Sequence, residues 1–218
     1  MMLPSPIRTL VLAVLLAIAG TATATESPVA MVRDVMREGL AEIAAQREAI
    51  GRDPAIARGL IERYLLPHTD SRRMGRLVAG AHWRNGTDSE RRRFTRAFTN
   101  YLIHSYAAGI SEYVDRIAEF ARNGRIDYRR LDDDHRRTSI RATLQPDGGP
   151  AINVDLYLHH LDDRWQVYDV RAVGVSLLLA YRESLRPRFD ASGMSGVSAY
   201  LEQRIDASRS AGHTARNE

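Results

Sequence analysis

Apolar positions recur at helical spacing through the first half of the chain. Stripes of this kind over 28–51 and 54–66 predict two amphipathic helices, and a shorter stripe over 71–81 predicts a third. The motif Thr87-Asp-Ser-Glu90 has the spacing of a capping box. It predicts the start of the longest helix, whose apolar face continues to Ile117.

The pattern changes to alternation of apolar and polar residues in the second half. Alternation with short turns between the segments is typical of an antiparallel meander that has one face on a core. The predicted strands are 125–131, 137–145, 151–161 and 164–170.

The end of the last strand is followed closely by a helix. The strand is expected to place Trp165 and Val167 on one face and Tyr168 and Val170 on the other. A turn at Gly174 then leads into a predicted helix over 175–186, and a final helix is predicted over 194–205. The whole pattern predicts an α+β fold in which a twisted four-stranded, mainly antiparallel sheet packs against about six helices.

The N-terminal sequence and the composition predict export and a single domain. Residues 1–24 combine a single arginine, an apolar stretch and an Ala-Thr-Ala ending, which predicts a cleaved signal peptide. Residues 25–207 are then one domain, and the polar segment 208–218 is expected to be a disordered tail. The chain has no cysteine, so packing alone must hold it together, and its net charge of +4 is carried by arginines without any lysine. This small excess does not indicate a nucleic-acid partner.

Candidate chemistry is sparse. The pair His159-His160 lies on a predicted strand, where neighbours point to opposite faces, so it does not predict a metal site. No nucleophile elbow, phosphate loop or dinucleotide fingerprint occurs. The set Tyr106, Asp169 and His82 would be the polar centre of a small-molecule enzyme, and a periplasmic chaperone or adaptor with a solid core is a further alternative. Periodicity does not distinguish a filled core from a hollow one that binds an apolar ligand.

Several motifs resemble, in the correct order, the MlaC family of periplasmic phospholipid-binding proteins, also called the toluene-tolerance family. The matching segments are Ala79-Gly-Ala-His-Trp-Arg84, the helix start at Thr87 with Phe94, Phe98 and Tyr106, the run from Trp165 to Arg182, and Gly193-Met-Ser-Gly196. Together they span about Val29 to Arg204, which is nearly the whole chain after the predicted signal peptide.

The resemblance implies a function and its partners. A member of this family is a periplasmic shuttle, without enzymatic activity or cofactor, that holds phospholipid tails in an apolar cavity between sheet and helices. It would carry phospholipid as a monomer between an outer-membrane lipoprotein-porin complex and an inner-membrane ABC transporter complex with its MCE-domain protein. This traffic maintains the lipid asymmetry of the outer membrane.

Nine residues are expected to contact the acyl tails. They combine the large apolar face of the long helix with the inward face of the sheet, and they are Phe98, Tyr101, Leu102, Tyr106, Tyr113, Ile140, Val154, Leu156 and Val167.

Two residues depart from the family pattern, and they are expected to have different effects. Glu90 replaces the usual Gln and keeps its capping role, whereas Pro187 is expected to kink or end a helix near Leu185.

Overall fold

The computed structural model describes residues 27–214 except 133 and 135. The predicted signal peptide, residues 1–24, therefore lies outside the described residues. The described helices are α1 (Pro28–Ala45), α2 (Arg47–Arg52), α3 (Pro54–Leu60), α4 (Ser71–Ala79), α5 (Ala81–Asn85), α6 (Asp88–Glu112), α7 (Val114–Asn123) and α8 (Leu177–Thr214). A π-helical turn (Ile61–Leu65) and a 3-10 turn (Leu66–His68) follow α3.

One sheet contains all the described strands, paired with their neighbours in chain order and antiparallel throughout. They are β1 (Arg125–Arg130), β2 (Arg137–Gln145), β3 (Ile152–Leu161), β4 (Arg164–Ala172) and β5 (Val175–Ser176). The predicted α+β fold is confirmed. The sheet gains a fifth strand because the chain turns tightly after β4 and pairs two more residues with its end.

The helix count is higher than the expected six because long predicted helices are divided. The backbone leaves helical geometry at Gln46, which separates α1 from α2, and at Tyr113, which separates α6 from α7. The short helix α5 was not predicted. The capping box at Thr87 is present, since the Glu90 amide donates to the Thr87 hydroxyl and the Thr87 amide donates to the Glu90 carboxylate.

A β-bulge changes the expected faces of β4. Leu158 pairs with Val167, but Leu156 pairs with Val170, so β4 has one residue more than β3 over this stretch. Leu156 and Leu158 share a face of β3, and their partners must therefore share a face of β4. The prediction that Val167 and Val170 lie on opposite faces is wrong, because a simple alternation does not allow for the extra residue.

Pro187 does not end its helix, which is a second correction. Helical structure continues through it, and the break in α8 comes at Gly193, which has φ 61°. Pro187 and Glu183 are both exposed, so water can satisfy the carbonyl that the proline leaves without a donor. The last helix ends at Thr214 rather than at the predicted Ile205.

Three clusters of buried side chains hold the fold together. The first is aromatic, and it joins α4, α5, α6 and α8 around Phe94 and Phe98, which are both fully buried. The second joins α1, α2, α3, α6 and α7. The third joins α1 to the sheet around Ile140 and Leu158. Between these clusters the described residues leave a hollow.

Candidate functional site

The hollow is a cavity of about 360 Å³ between the sheet and five helical segments. Its wall consists almost entirely of apolar atoms. Helix α1 contributes Met31, Val32, Val35 and Met36, the turns after α3 contribute Ile61, Leu65 and Leu66, α4 contributes Met74, α6 contributes Leu102, Ile103, Tyr106 and Ile110, and the sheet and the start of α8 contribute Leu156, Val167, Val170 and Leu177.

The turns after α3 form one wall because a hydrogen bond fixes them to the sheet. The amide of Asp70 donates to the carbonyl of Val167 over 2.9 Å, and Thr69 forms a parallel bridge with the same residue. The side chain of Asp70 also accepts from the amide of Arg73 at the start of α4. The segment leading into α4 is therefore anchored at both the sheet and the helix, beside the cavity.

The bulge in β4 forms the wall next to these turns. Because it turns both Val167 and Val170 to the face of Leu156, three branched apolar side chains lie side by side on the cavity. Without the extra residue, Val170 would point away from the helices.

Four of the nine predicted tail-contacting residues line the cavity, namely Leu102, Tyr106, Leu156 and Val167. The other five lie elsewhere. Phe98 and Ile140 are fully buried in solid clusters, and Tyr101 packs against the aromatic one. Tyr113 is 48% exposed at the junction of α6 and α7, and Val154 lies farther along β3, outside the cavity wall.

The lining of α1 and of the turns after α3 was missed from the sequence. The stripe of Val32, Val35 and Met36 was visible, but a stripe only shows that a helix face is buried. It does not show whether that face meets side chains or empty space. The π-helical turn at Ile61, which widens the backbone beside the cavity, has no signal in the hydrophobic pattern.

The carboxylate of Asp169, which lines the cavity, has a structural role. One carboxylate oxygen of Asp169 accepts from the Ser176 hydroxyl over 2.7 Å and the other accepts from the Leu178 amide over 3.2 Å, which caps the start of α8. The Ser176 hydroxyl in turn accepts from the Leu179 amide, so this residue has the predicted capping role. Burial raises the pKa of the Tyr106 hydroxyl, which keeps it neutral.

The polar set of the enzyme alternative does not converge. Tyr106 and Asp169 line the cavity, but His82 lies outside its wall. The His82 ring stacks on Phe189 with centroids 5.2 Å apart, and its Nε2 lies 3.2 Å from Asp190. Within the described ranges, no group of three or more histidine, cysteine or acidic side chains could hold a metal ion. No helix among these residues is long and apolar enough to cross a membrane.

Fold and cavity define a class: a helix-plus-sheet protein that leaves room for an apolar ligand between its two layers. The family model described as MlaC protein matches residues 33–203, and the chain belongs to this family. The resemblance seen in the sequence is thus confirmed.

A solved structure has the same fold. It is a phospholipid-binding protein from Ralstonia solanacearum, determined in complex with a phospholipid. The TM-score is 0.70 at 20% sequence identity, and the match covers 84% of this chain and 98% of that chain.

Proposed function

We propose that this protein binds phospholipid and carries it across the periplasm. The acyl tails would occupy the apolar cavity, and the headgroup would stay near solvent. The exchange partners would be the inner-membrane ABC transporter complex with its MCE-domain protein and the outer-membrane lipoprotein-porin complex. The observation that carries this proposal is the apolar cavity in a chain of the MlaC family. The phospholipid complex of the Ralstonia protein supports it.

The physical properties of the cavity suit a carrier. Moving a methylene group from water into an apolar site is favourable by about 0.8 kcal/mol, so transfer of an acyl chain from water into the cavity is strongly favourable. Apolar contacts are not directional, and side chains such as Met31 and Met36 adapt to different shapes. A wall of this kind accepts chains of different length and holds none of them in a fixed register. That property favours release as well as uptake.

The two alternatives receive less support. An enzyme needs polar groups gathered at the reacting atoms. Of the polar residues considered for an enzyme, Tyr106 and Asp169 line the cavity, whereas His82 stacks on Phe189 outside it. A chaperone or adaptor needs only a solid core, which does not explain a wall of branched and sulfur-containing side chains around unfilled space.

Transfer between vesicles tests the proposal. Delipidated protein is incubated with donor vesicles of labelled phosphatidylglycerol and with unlabelled acceptor vesicles, and label in the acceptors is measured after separation. We expect transfer that rises with protein concentration. A protein that is folded by circular dichroism but neither takes up phospholipid nor transfers it would overturn the proposal.

A matched pair of variants locates the lipid. In Val167→Trp the new ring points into the cavity, whereas Leu161→Trp adds the same ring at the partly exposed end of β3. We expect the first variant to lose uptake and the second to keep it. Equal uptake by both variants would place the lipid outside this cavity.

A further inference from the structure

A second concavity lies on the helical side of the molecule and differs from the first in charge. It is a groove of about 410 Å³ formed by α4, α5 and the first turns of α6. Its lining includes four arginines, Arg72, Arg91, Arg92 and Arg96, and a single carboxylate, Asp88. The lining side chains therefore carry a net charge of +3.

One of the four arginines has a structural role. The Nη1 of Arg91 lies 3.0 Å from Asp88 Oδ1, and its Nε donates to the Trp83 carbonyl over 2.8 Å. Its Nη2 donates to the Arg84 carbonyl, so this guanidinium ties α5 to α6. Arg91 is thus the ion-pair partner of Asp88, the single carboxylate of the groove lining.

The other three arginines have no carboxylate within ion-pair distance among the residues that the structure describes. Glu202 accepts two hydrogen bonds from Arg93, at 2.8 and 3.3 Å, and these are the main reason that the pKa of its carboxyl is lowered; Arg96 contributes to that lowering only through its charge. Elsewhere the arginines of the helices commonly pair with an acid three or four residues away, as Arg37 and Arg58 do. Four like charges gathered in a concave site beside a single carboxylate repel one another, and a bound anion relieves that repulsion.

The groove and the cavity share one face of α6. Arg92, Arg96, Thr99 and Ile103 follow one another at intervals of four, three and four residues, which places them in a single stripe. The first two line the groove and the last two line the cavity. A cationic compartment thus meets an apolar one within about one turn of a helix, which is about 5.4 Å.

We propose that Arg72, Arg92 and Arg96 form a binding site for a phosphate group. A phosphate has more acceptor oxygens than a carboxylate and can accept from several guanidinium groups at once, each through paired hydrogen bonds. Its source is the headgroup of the lipid whose tails fill the cavity, and this part of the inference rests on the proposed function. The site then adds selection for the phosphate-bearing end of the cargo to an otherwise unspecific apolar cavity.

The test compares two lipids with the same acyl chains, one with phosphate and one without. Delipidated protein is loaded from vesicles that contain either phosphatidylglycerol or diacylglycerol, and bound lipid is quantified. Inorganic phosphate is titrated separately by calorimetry. The variant is Arg92→Ala/Arg96→Ala, and the control is Arg122→Ala, which removes an exposed arginine from α7. Circular dichroism establishes that all the proteins are folded.

We expect the double variant to lose roughly tenfold in preference for phosphatidylglycerol over diacylglycerol, because it removes two charge-assisted contacts that are partly screened by solvent. Diacylglycerol loading and the control should be unchanged. If the variant weakens only the binding of inorganic phosphate, the site binds phosphate but the headgroup is not its source, and that part is overturned. Unchanged binding of both would overturn the site itself. Wild-type protein that binds inorganic phosphate but loads neither lipid would instead contradict the proposed function.

Discussion

Helix α6 has a solid region at one end and a hollow region at the other. Near its start, Phe94 and Phe98 pack against rings of α8, with centroids 5.2 Å apart for Phe94 and Phe189 and 5.4 Å apart for Phe98 and Tyr181. Near its end, Tyr106 and Ile110 face the cavity. Both regions have the same helical period. The difference between them is in the opposing surface, which holds aromatic rings in the first region and aliphatic and methionine side chains in the second.

The comparison explains why a carrier can hold space open in a folded protein. Empty space costs contacts that a packed interior would have, so a hollow protein needs a compensating solid region. Here the aromatic cluster around Phe94 and Phe98 supplies that solid region, and α6 contributes to both the cluster and the cavity wall. The expected variants below test this division, starting with the largest change in the free energy of unfolding.

Phe98→Ala should be the most damaging. It removes a fully buried ring from the solid region and should lower the free energy of unfolding by about 3–5 kcal/mol. Ile103→Ala, on the cavity wall, should cost about 2 kcal/mol, because its side chain borders space that is already empty. Urea unfolding of both delipidated variants measures the difference. Equal costs would contradict the division of α6 into solid and hollow regions.

Asp169→Ala should affect the junction between the two regions. The carboxylate holds the cavity strand β4 to the start of α8, which carries the aromatic cluster, through the Ser176 hydroxyl and the Leu178 amide. Loss of a cap and of a buried acceptor should cost about 2 kcal/mol. The matched control is Asp190→Ala, whose side chain is 64% exposed. An equally small effect in both variants would show that the junction does not depend on this carboxylate.

Val173→Gly should stabilise the protein. Val173 has φ 52° in the turn between β4 and β5, a left-handed conformation that a β-branched residue rarely adopts, and its side chain is 83% exposed. Glycine removes this strain at the loss of almost no packing, so we expect a gain of about 1 kcal/mol in thermal or urea unfolding. Val170→Gly, which removes cavity lining instead, should destabilise the protein. A destabilised Val173→Gly variant would show that the turn needs this side chain.

The anchored segment beside the cavity should make stability depend on pH. Burial, followed by the charge of Arg73, lowers the pKa of His159, although Asp70 opposes the shift from 2.8 Å. Arg73 donates to Nδ1 of this ring, which requires that nitrogen to be unprotonated. The unfolded chain binds the proton near the ordinary pKa of about 6.5, so the free energy of unfolding should fall as pH drops below that value and level off below the folded pKa.

His159→Gln should remove part of this dependence. The pKa of His104 is also lowered by burial, but His104 is present in both proteins, so its contribution cancels in the difference. The carboxylates with lowered pKa, such as Asp155, titrate at lower pH, so the pH range just below 6.5 reports on histidines such as His159, whose ordinary pKa is about 6.5. An identical slope in wild type and variant would show that His159 does not titrate on unfolding.

Much of the fold was predictable because its causes are local. Alternation located four strands within a few residues, and the capping box at Thr87 located the start of α6. The bulge at β4 was not predictable, because the extra residue depends on how β3 pairs with it. The prediction that Pro187 ends its helix was wrong for a related reason. The effect of this proline depends on whether water reaches the carbonyl of Glu183, four residues earlier, and that is a property of the folded surface.

The candidate site was predicted less well than the fold. The prediction relied on the large rings on the apolar face of α6, yet Phe98 fills space in the solid region, and of the four predicted rings Tyr106 alone lines the cavity. The cavity is lined by smaller residues, including Val35 and Val170, which leave space unfilled. The position of that space depends on how α1 and the turns after α3 pack against the sheet, and the hydrophobic pattern of the sequence does not show this packing.

The most direct test of the central claim is the lipid content of the protein purified from cells without detergent. Native mass spectrometry, followed by extraction in organic solvent, measures phospholipid per chain in wild type and in Val167→Trp. We predict close to stoichiometric phospholipid in the wild type and its loss from the variant, with both proteins folded. Lipid-free wild type that also accepts no phospholipid from vesicles, or equal lipid in both proteins, would contradict the account.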